Sequence, residues 1–289
     1  MQTEEKIRQT VRQTYGNVAR QGHFDQSQLP NSHCCGSNLE PIESQSIGCG
    51  CGANPIDPKI LSTQLGYTKE DMEAVPDGAN LGLGCGSPKT IANIAAGETV
   101  IDLGSGGGFD CFLAAKEVGE NGKVIGVDMT AEMISRSREN ASKANVQNVE
   151  FRLGEIEHLP LEDGVADLIM SNCVINLSPA KQHVFNDAFR VLKPGGRIAI
   201  SDILATKPLP DDIKKDLSLV SACIGGAATI AKTKQMLETA GFDHIRITPK
   251  TVSQELIDEW LPQSRVGEYV VSAYIEARKT LKSESKKEN

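Results

Sequence analysis

Residues 98–110 read Glu-Thr-Val-Ile-Asp-Leu-Gly-Ser-Gly-Gly-Gly-Phe-Asp, and few folds accommodate such a run. The apolar stretch through Leu103 is that of a buried parallel strand. Gly104, Gly106 and Gly108 then alternate with other residues, and glycine tolerates positive φ and lets a ligand approach the backbone. From Phe109 the pattern turns helical through Phe112, Leu113 and Val118. A strand that enters a glycine turn and leaves as a helix is the place where an α/β sheet cradles a nucleotide.

Two acids narrow the nucleotide. Asp102 heads an acid-x-Gly-x-Gly-x-Gly series that differs from the dinucleotide fingerprint. A second strand, Lys123–Asp128, ends on an acid 128 − 108 = 20 residues beyond the last glycine, where a carboxylate meets ribose hydroxyls. Together they point to S-adenosylmethionine rather than NAD. Glu155 and Ile156 follow the third strand, beside the expected adenine ring. Ile156 would pack on the ring, and Glu155 or nearby backbone would read its edge; the plainer reading is a surface acid and a core aliphatic, and for Glu155 spacing alone favours neither. Asn172 and Cys173 end the fourth strand and should face the same crevice.

Strands expected at 98–103, 123–127, 148–153, 166–171 and 196–203 alternate with helices starting near Phe109, Thr130 and Pro179. The fold class is therefore α/β: a Rossmann-like parallel sheet with crossover helices. Lys193-Pro-Gly-Gly196 reads as a turn ahead of the fifth strand. Helices are expected over 211–223 and 230–240, a strand at 243–249, a helix around Trp260 and a last strand from Val270 to Ala277. These form a smaller C-terminal α+β region. At the other end, Ile7, Val11, Tyr15 and Val18 mark a helix over 3–20. A Cys-rich loop runs from Gly22 to Pro58, and two short helices follow, the second capped by Thr68 and Asp71. The expected division is 1–75, 76–204 for the nucleotide domain, 205–280, and a charged tail, 281–289.

Acidic residues outnumber basic ones 38 to 30, a net charge of −8, and no basic block precedes the tail, which argues against a nucleic-acid partner. No apolar run reaches membrane-spanning length, and the polar N-terminus lacks a signal peptide's apolar region. A cytoplasmic protein is expected. In a reducing compartment its eight cysteines are better read as ligands, nucleophiles or redox partners than as disulfides.

Cys85 lies in the loop Asn80-Leu-Gly-Leu-Gly-Cys-Gly-Ser-Pro88, whose glycines suit a backbone passing close to another group. Cys223 stands before Gly225-Gly226 where a helix ends, and Cys173 stands at a strand end. Cys111, on the first sheet-packing helix, reads as core, and its replacement by serine should be mild. Cys173 also admits that plainer reading. Three thiolates together specify a soft centre. Zinc fits poorly, because Cys34-Cys35 and Cys49-x-Cys51 lack CxxC spacing. Trivalent arsenic takes three thiolates and keeps a lone pair able to attack a sulfonium methyl without a general base, leaving the protein the work of positioning.

Over nearly its whole length, from Tyr15-Gly16 to Ala277, the chain resembles the arsenite S-adenosylmethionine methyltransferases. The resemblance rests on Ala79–Pro88, Val100–Cys111, Gly126–Thr130, Arg152–Pro160 and Ser171–Pro179. It implies arsenite held by Cys85, Cys173 and Cys223, with successive methylation to methyl- and dimethylarsenicals in arsenic detoxification. It implies cofactor contacts at Asp102, Gly104, Ser105 and Gly106 in the turn, then at Asp128, Met129, Glu155, Ile156 and Asn172. A thiol or thioredoxin-like reductant is implied, as is an N-terminal cysteine that pairs with Cys85 during turnover. Cys34-Cys35 and Cys49-x-Cys51 both qualify; Cys34-Cys35 is favoured because a Cys-Cys-Gly after the first helix is common in similar chains. Residues 204–241 would cover the metalloid. Two other readings compete. A methyltransferase for a small organic acceptor leaves the cysteines unexplained, and a non-catalytic metalloid-binding protein leaves the nucleotide site unexplained.

Overall fold

The computed structural model describes residues 3–23, 57–250 and 266–280. Cys34, Cys35, Cys49 and Cys51, the expected helix at Trp260 and the tail lie outside the described residues.

The first helix, α1 (Glu4–Gln21), starts where the Thr3 hydroxyl accepts the Lys6 N–H and ends at Gly22, φ +85°. Its buried side includes Val11 and Val18. Two short helices follow: α2 (Pro58–Gln64) and α3 (Lys69–Glu73). The capping box on α3 joins Thr68 and Asp71, as the sequence predicts. A glycine-rich loop carrying Cys85 then leads to α4 (Lys89–Ala92).

From here strand and helix alternate. The order is β1 (Thr99–Leu103), α5 (Phe109–Val118), β2 (Lys123–Asp128), α6 (Ala131–Lys143), β3 (Val149–Leu153), β4 (Ala166–Asn172), α7 (Lys181–Val191) and β5 (Leu192–Ala205). Two short helices come next, α8 (Asp211–Lys215) and α9 (Leu217–Ser221), then α10 (Ile230–Ala240), β6 (Asp243–Pro249) and β7 (Val270–Arg278). All seven strands form one sheet in the order β3-β2-β1-β4-β5-β7-β6. The first five are parallel, and β7 runs antiparallel to both neighbours. Ile101 of β1 pairs with Ile125 and Ile169, so the middle of the sheet is a row of aliphatic side chains. Ile101, Leu103, Ile169, Ile198 and Ile200 are fully buried. Each contributes on the order of 1.5–3 kcal/mol by leaving water.

Two elements differ from the sequence reading. Lys193–Gly196 is not a turn ahead of β5 but an irregularity inside it. Leu192 already pairs with Ala166, and pairing resumes at Arg197 opposite Leu168. Gly195, at φ +85°, absorbs the extra residues. The expected single helix over 211–223 is two. Asp216 adopts an extended ψ, and its carboxylate accepts the Ser218 and Leu219 N–H groups, so it stops one helix and caps the next.

The C-terminal strands therefore complete the nucleotide-binding sheet instead of forming a separate one. That places β7 beside the end of β5 and within reach of the Cys85 loop.

Candidate active site

The four described cysteines are buried and free. Three meet over the carboxyl ends of β4 and β5. The Cys85 and Cys173 sulfurs lie with a carboxylate oxygen of Asp202 in one group, all within 4.8 Å of one another. The Cys173 thiol interacts with both Cys223 and Cys85, and burial followed by those neighbours pushes it well above the usual thiol range. The Cys223 thiol donates to the Cys173 carbonyl at 2.6 Å. Cys111 stands apart from the three, as expected.

Each thiol is held by its backbone. Cys173 follows β4, and its N–H bonds the Ser201 carbonyl at 2.8 Å. Its φ is +56°, and that of Cys223 is +63°. Cys223 ends α9 in a Schellman arrangement: its N–H reaches Val220 O and the next N–H reaches Leu219 O. Glycine usually fills that left-handed position, and an L side chain there costs about 1–2 kcal/mol. Cys85 is gripped from both sides. Its N–H donates to Asn172 Oδ1 at 3.2 Å, and its carbonyl accepts from Ser272 Oγ at 2.7 Å and Lys250 Nζ at 3.2 Å. The flanking glycines have a steric reason: a Cβ on Gly84 would stand 2.8 Å from the Asn172 amide, and one on Gly86 2.4 Å from Ser201 Oγ.

The glycine turn lies alongside. Asp128 Oδ2 accepts the Gly106 N–H at 3.0 Å and Oδ1 accepts the Thr130 N–H at 2.8 Å. Gly106, at φ +51°, faces open space, and the Ser105 hydroxyl is buried without a hydrogen-bond partner among the described residues. An open turn, an orphaned hydroxyl and two buried acids fit an adenosyl group with its ribose hydroxyls and ammonium. Burial, reinforced by Asp110, raises the Asp102 carboxyl well above the carboxylate range. The Cys111 thiol donates to it at 3.2 Å, so this core cysteine also partners the cofactor-side acid. Burial likewise raises Asp128. Ile156 packs within the main core. Glu155 faces α1, where Arg8 and Arg12 pair with it. Met129 packs against the apolar cluster that contains the three cysteines.

Asn172 joins the two halves. Its amide nitrogen donates to Tyr67 Oη at 2.9 Å and to the Gly86 carbonyl at 2.7 Å, while its oxygen holds Cys85. Tyr67 in turn donates to Asp110 at 2.7 Å. Burial lifts the Asp110 carboxyl to about 6.

A sequence model of a methyltransferase domain family matches residues 94–241. The arsenite methyltransferase of Halobacterium salinarum is 50% identical over 275 residues, 95% of this chain and 67% of that protein. The arsenite methyltransferase of Aquipseudomonas alcaligenes is 32% identical over 274 residues, 90% of this chain and 69% of that one. Among solved structures, an arsenic(III) S-adenosylmethionine methyltransferase from Chlamydomonas reinhardtii is 30% identical, with a TM-score of 0.57 over 79% of this chain and 75% of that one. The chain belongs to the arsenite methyltransferases.

In this methyltransferase several residues at the site went unmarked in the sequence. Ser201 and Asp202 on β5, Ser272 on β7 and Asn176 beyond β4 touch the three cysteines or their backbone, and each looks in sequence like an ordinary polar residue of a strand or loop. Tyr15 was marked only as one apolar position of α1. Its hydroxyl donates to the Ser221 carbonyl at 3.1 Å and lies 4.0 Å from Cys223 Sγ. Burial, with Cys223 next, raises the phenol well above its usual value. No described helix is long and apolar enough to cross a membrane.

Proposed function

We propose that the chain moves methyl groups from S-adenosylmethionine to trivalent arsenic held by Cys85, Cys173 and Cys223. The convergence of these three buried thiols beside the glycine turn carries the reading. Arsenite exchanges its three hydroxides for three thiolates, and the thiol protons leave with the hydroxides as three waters. Arsenic keeps its lone pair, and the thiol group aims it. Asp102, Gly104, Ser105, Gly106, Asp128, Met129, Glu155, Ile156 and Asn172 would hold the cofactor, which supplies an electrophilic methyl on its sulfonium. No base is needed at the acceptor, because arsenic carries no proton. The chain's part is alignment, through the grips on Cys85 and the left-handed turns at Cys173 and Cys223. Ile203, Leu219 and Ile224 pack about the thiols and exclude water.

Turning the lone pair into an As–C bond takes arsenic formally from +3 to +5. A further cycle needs two electrons, which two thiols supply on closing a disulfide. We assign that step to an N-terminal cysteine from Cys34-Cys35 or Cys49-x-Cys51 acting with Cys85, reset by a small thiol or thioredoxin-like protein. A role in arsenic detoxification follows.

The test is a methyl-transfer assay with labelled S-adenosylmethionine and a thiol, with arsenite present or absent, followed by separation of the arsenicals. Methylated arsenic should form only with both substrates. Cys173→Ser or Cys223→Ser should abolish it while cofactor binding persists. Normal turnover in either variant would sink the three-thiolate reading.

A further inference from the structure

Asp202 and Asn176 are both buried, and an Asp202 carboxylate oxygen shares one group with the Cys85 and Cys173 sulfurs. The Asn176 amide nitrogen donates to Asp202 Oδ1 at 2.9 Å, to the Cys223 carbonyl at 3.2 Å and to the Ile203 carbonyl. Asp202 accepts two further donors, the Ile175 N–H at 3.0 Å and the Ile203 N–H at 2.7 Å. One side-chain pair thereby ties three stretches: the segment just after Cys173, the end of β5, and Cys223 itself. The packing behind it has no slack, since a Cβ on Gly226 would lie 2.0 Å from the Asn176 carbonyl oxygen. Both tied cysteines hold left-handed backbones that an L side chain leaves unless its surroundings over-determine it.

We propose that Asp202 and Asn176 are positioning residues that set the separation of the Cys173 and Cys223 sulfurs and so preform the arsenic site. Neither need touch arsenic. The inference rests on the reading of those cysteines as ligands. Two neighbouring thiols bind an arsenical tightly only when their spacing is set beforehand, because ordering them on binding subtracts from affinity.

The experiment compares Asn176→Ala and Asp202→Asn with the otherwise unsubstituted chain, all in a Cys85→Ser background so that Cys173 and Cys223 are the thiol pair probed, using phenylarsine oxide, which takes two thiols, and S-adenosylmethionine as separate probes. Losing the amide should weaken phenylarsine oxide binding by about ten-fold or more, the usual consequence of removing a buried hydrogen-bonding partner. Cofactor affinity should stay within about two-fold, since the pair makes no bond to the glycine turn. Asp202→Asn keeps one acceptor oxygen, enough for the Asn176 amide and the Ile203 N–H, and gives up the one that takes the Ile175 N–H, so it should show a smaller loss. A purely structural pair would weaken both probes together or neither, and either result overturns the proposal. Cys173→Ser and Cys223→Ser serve as the reference. If they bind phenylarsine oxide normally, the ligand reading has failed; if they lose it while Asn176→Ala keeps it, only the positioning role has. The wild type gives a check that needs no variant. The Ile175 and Ile203 amides should exchange slowly with solvent before phenylarsine oxide is added and about as slowly after. Protection that arises only on binding would show that the site is not preformed.

Discussion

Cys223 occupies the position after a helix where glycine is the usual residue, and Cys173 repeats that geometry after a strand. A thiol is kept there at the expense of backbone strain, so function and stability should separate on substitution. Both Cys223→Ala and Cys223→Gly remove the sulfur, but only alanine keeps the strained Cβ. Elsewhere glycine is less stable than alanine by about 0.5–1 kcal/mol. Here Cys223→Gly should be the more stable of the two by about 1 kcal/mol in denaturant titration. The ordinary order would show that the left-handed turn is not strained. Cys111 offers a second contrast. Serine keeps a donor for Asp102, so Cys111→Ser should leave cofactor affinity nearly unchanged, whereas Cys111→Val should weaken it by several-fold in calorimetry. At this scale the sequence singled out the three thiols that the structure brings together, because glycines and strand ends leave a local trace. It left Asp202 and Asn176 unmarked, because a buried hydrogen bond between residues 26 apart leaves none.

Among the elements, the turn from β1 into α5 gathers Asp102 and Asp110, while Asp128 ends β2. Burial raises all three carboxyls. Asp110, lifted from 3.8 to about 6, takes up its proton in the folded chain at a pH where the unfolded chain has lost it. Its contribution is whole below about pH 4 and fades as pH rises through about 6, a change of roughly 2–3 kcal/mol. Asp110→Asn should flatten that part of the stability profile relative to wild type, read by denaturant titration at about pH 4.5 and 7.5. Glu150, held down to about 2 by Arg152 and Lys123, acts below this window and drops out of the comparison. The loops make a steric prediction. Gly84→Ala should displace Asn172 and Cys85 together and cut arsenite methylation more than ten-fold, on the order of the loss expected from a misplaced reacting group. Unchanged methylation would show that the loop yields freely. The regular elements were legible because their periodicity is local. The break at Asp216 and the irregularity at Lys193–Gly196 were not, since one depends on a side chain folding back on its own backbone and the other on what a neighbouring strand pairs with.

For the whole molecule, one sheet supports both the glycine turn after β1 and the thiol group over β4 and β5. Strand β7 is inserted between β5 and β6 and brings Ser272 to the Cys85 carbonyl. Removing that grip by Ser272→Ala should cost about 1 kcal/mol of stability and lower arsenite turnover without altering cofactor affinity. Equal losses of both would show that β7 supports the sheet alone. The same insertion imposes a timetable on biosynthesis. The residues of the glycine turn leave the ribosome early, and Ser272 emerges about 10–30 s later at ordinary elongation rates. Until then β5 has no partner on that side and the Cys85 loop lacks its anchor. A growing chain can thus shape its nucleotide crevice well before its thiols are locked in place, and the thiol group is among the last features of the fold to be finished.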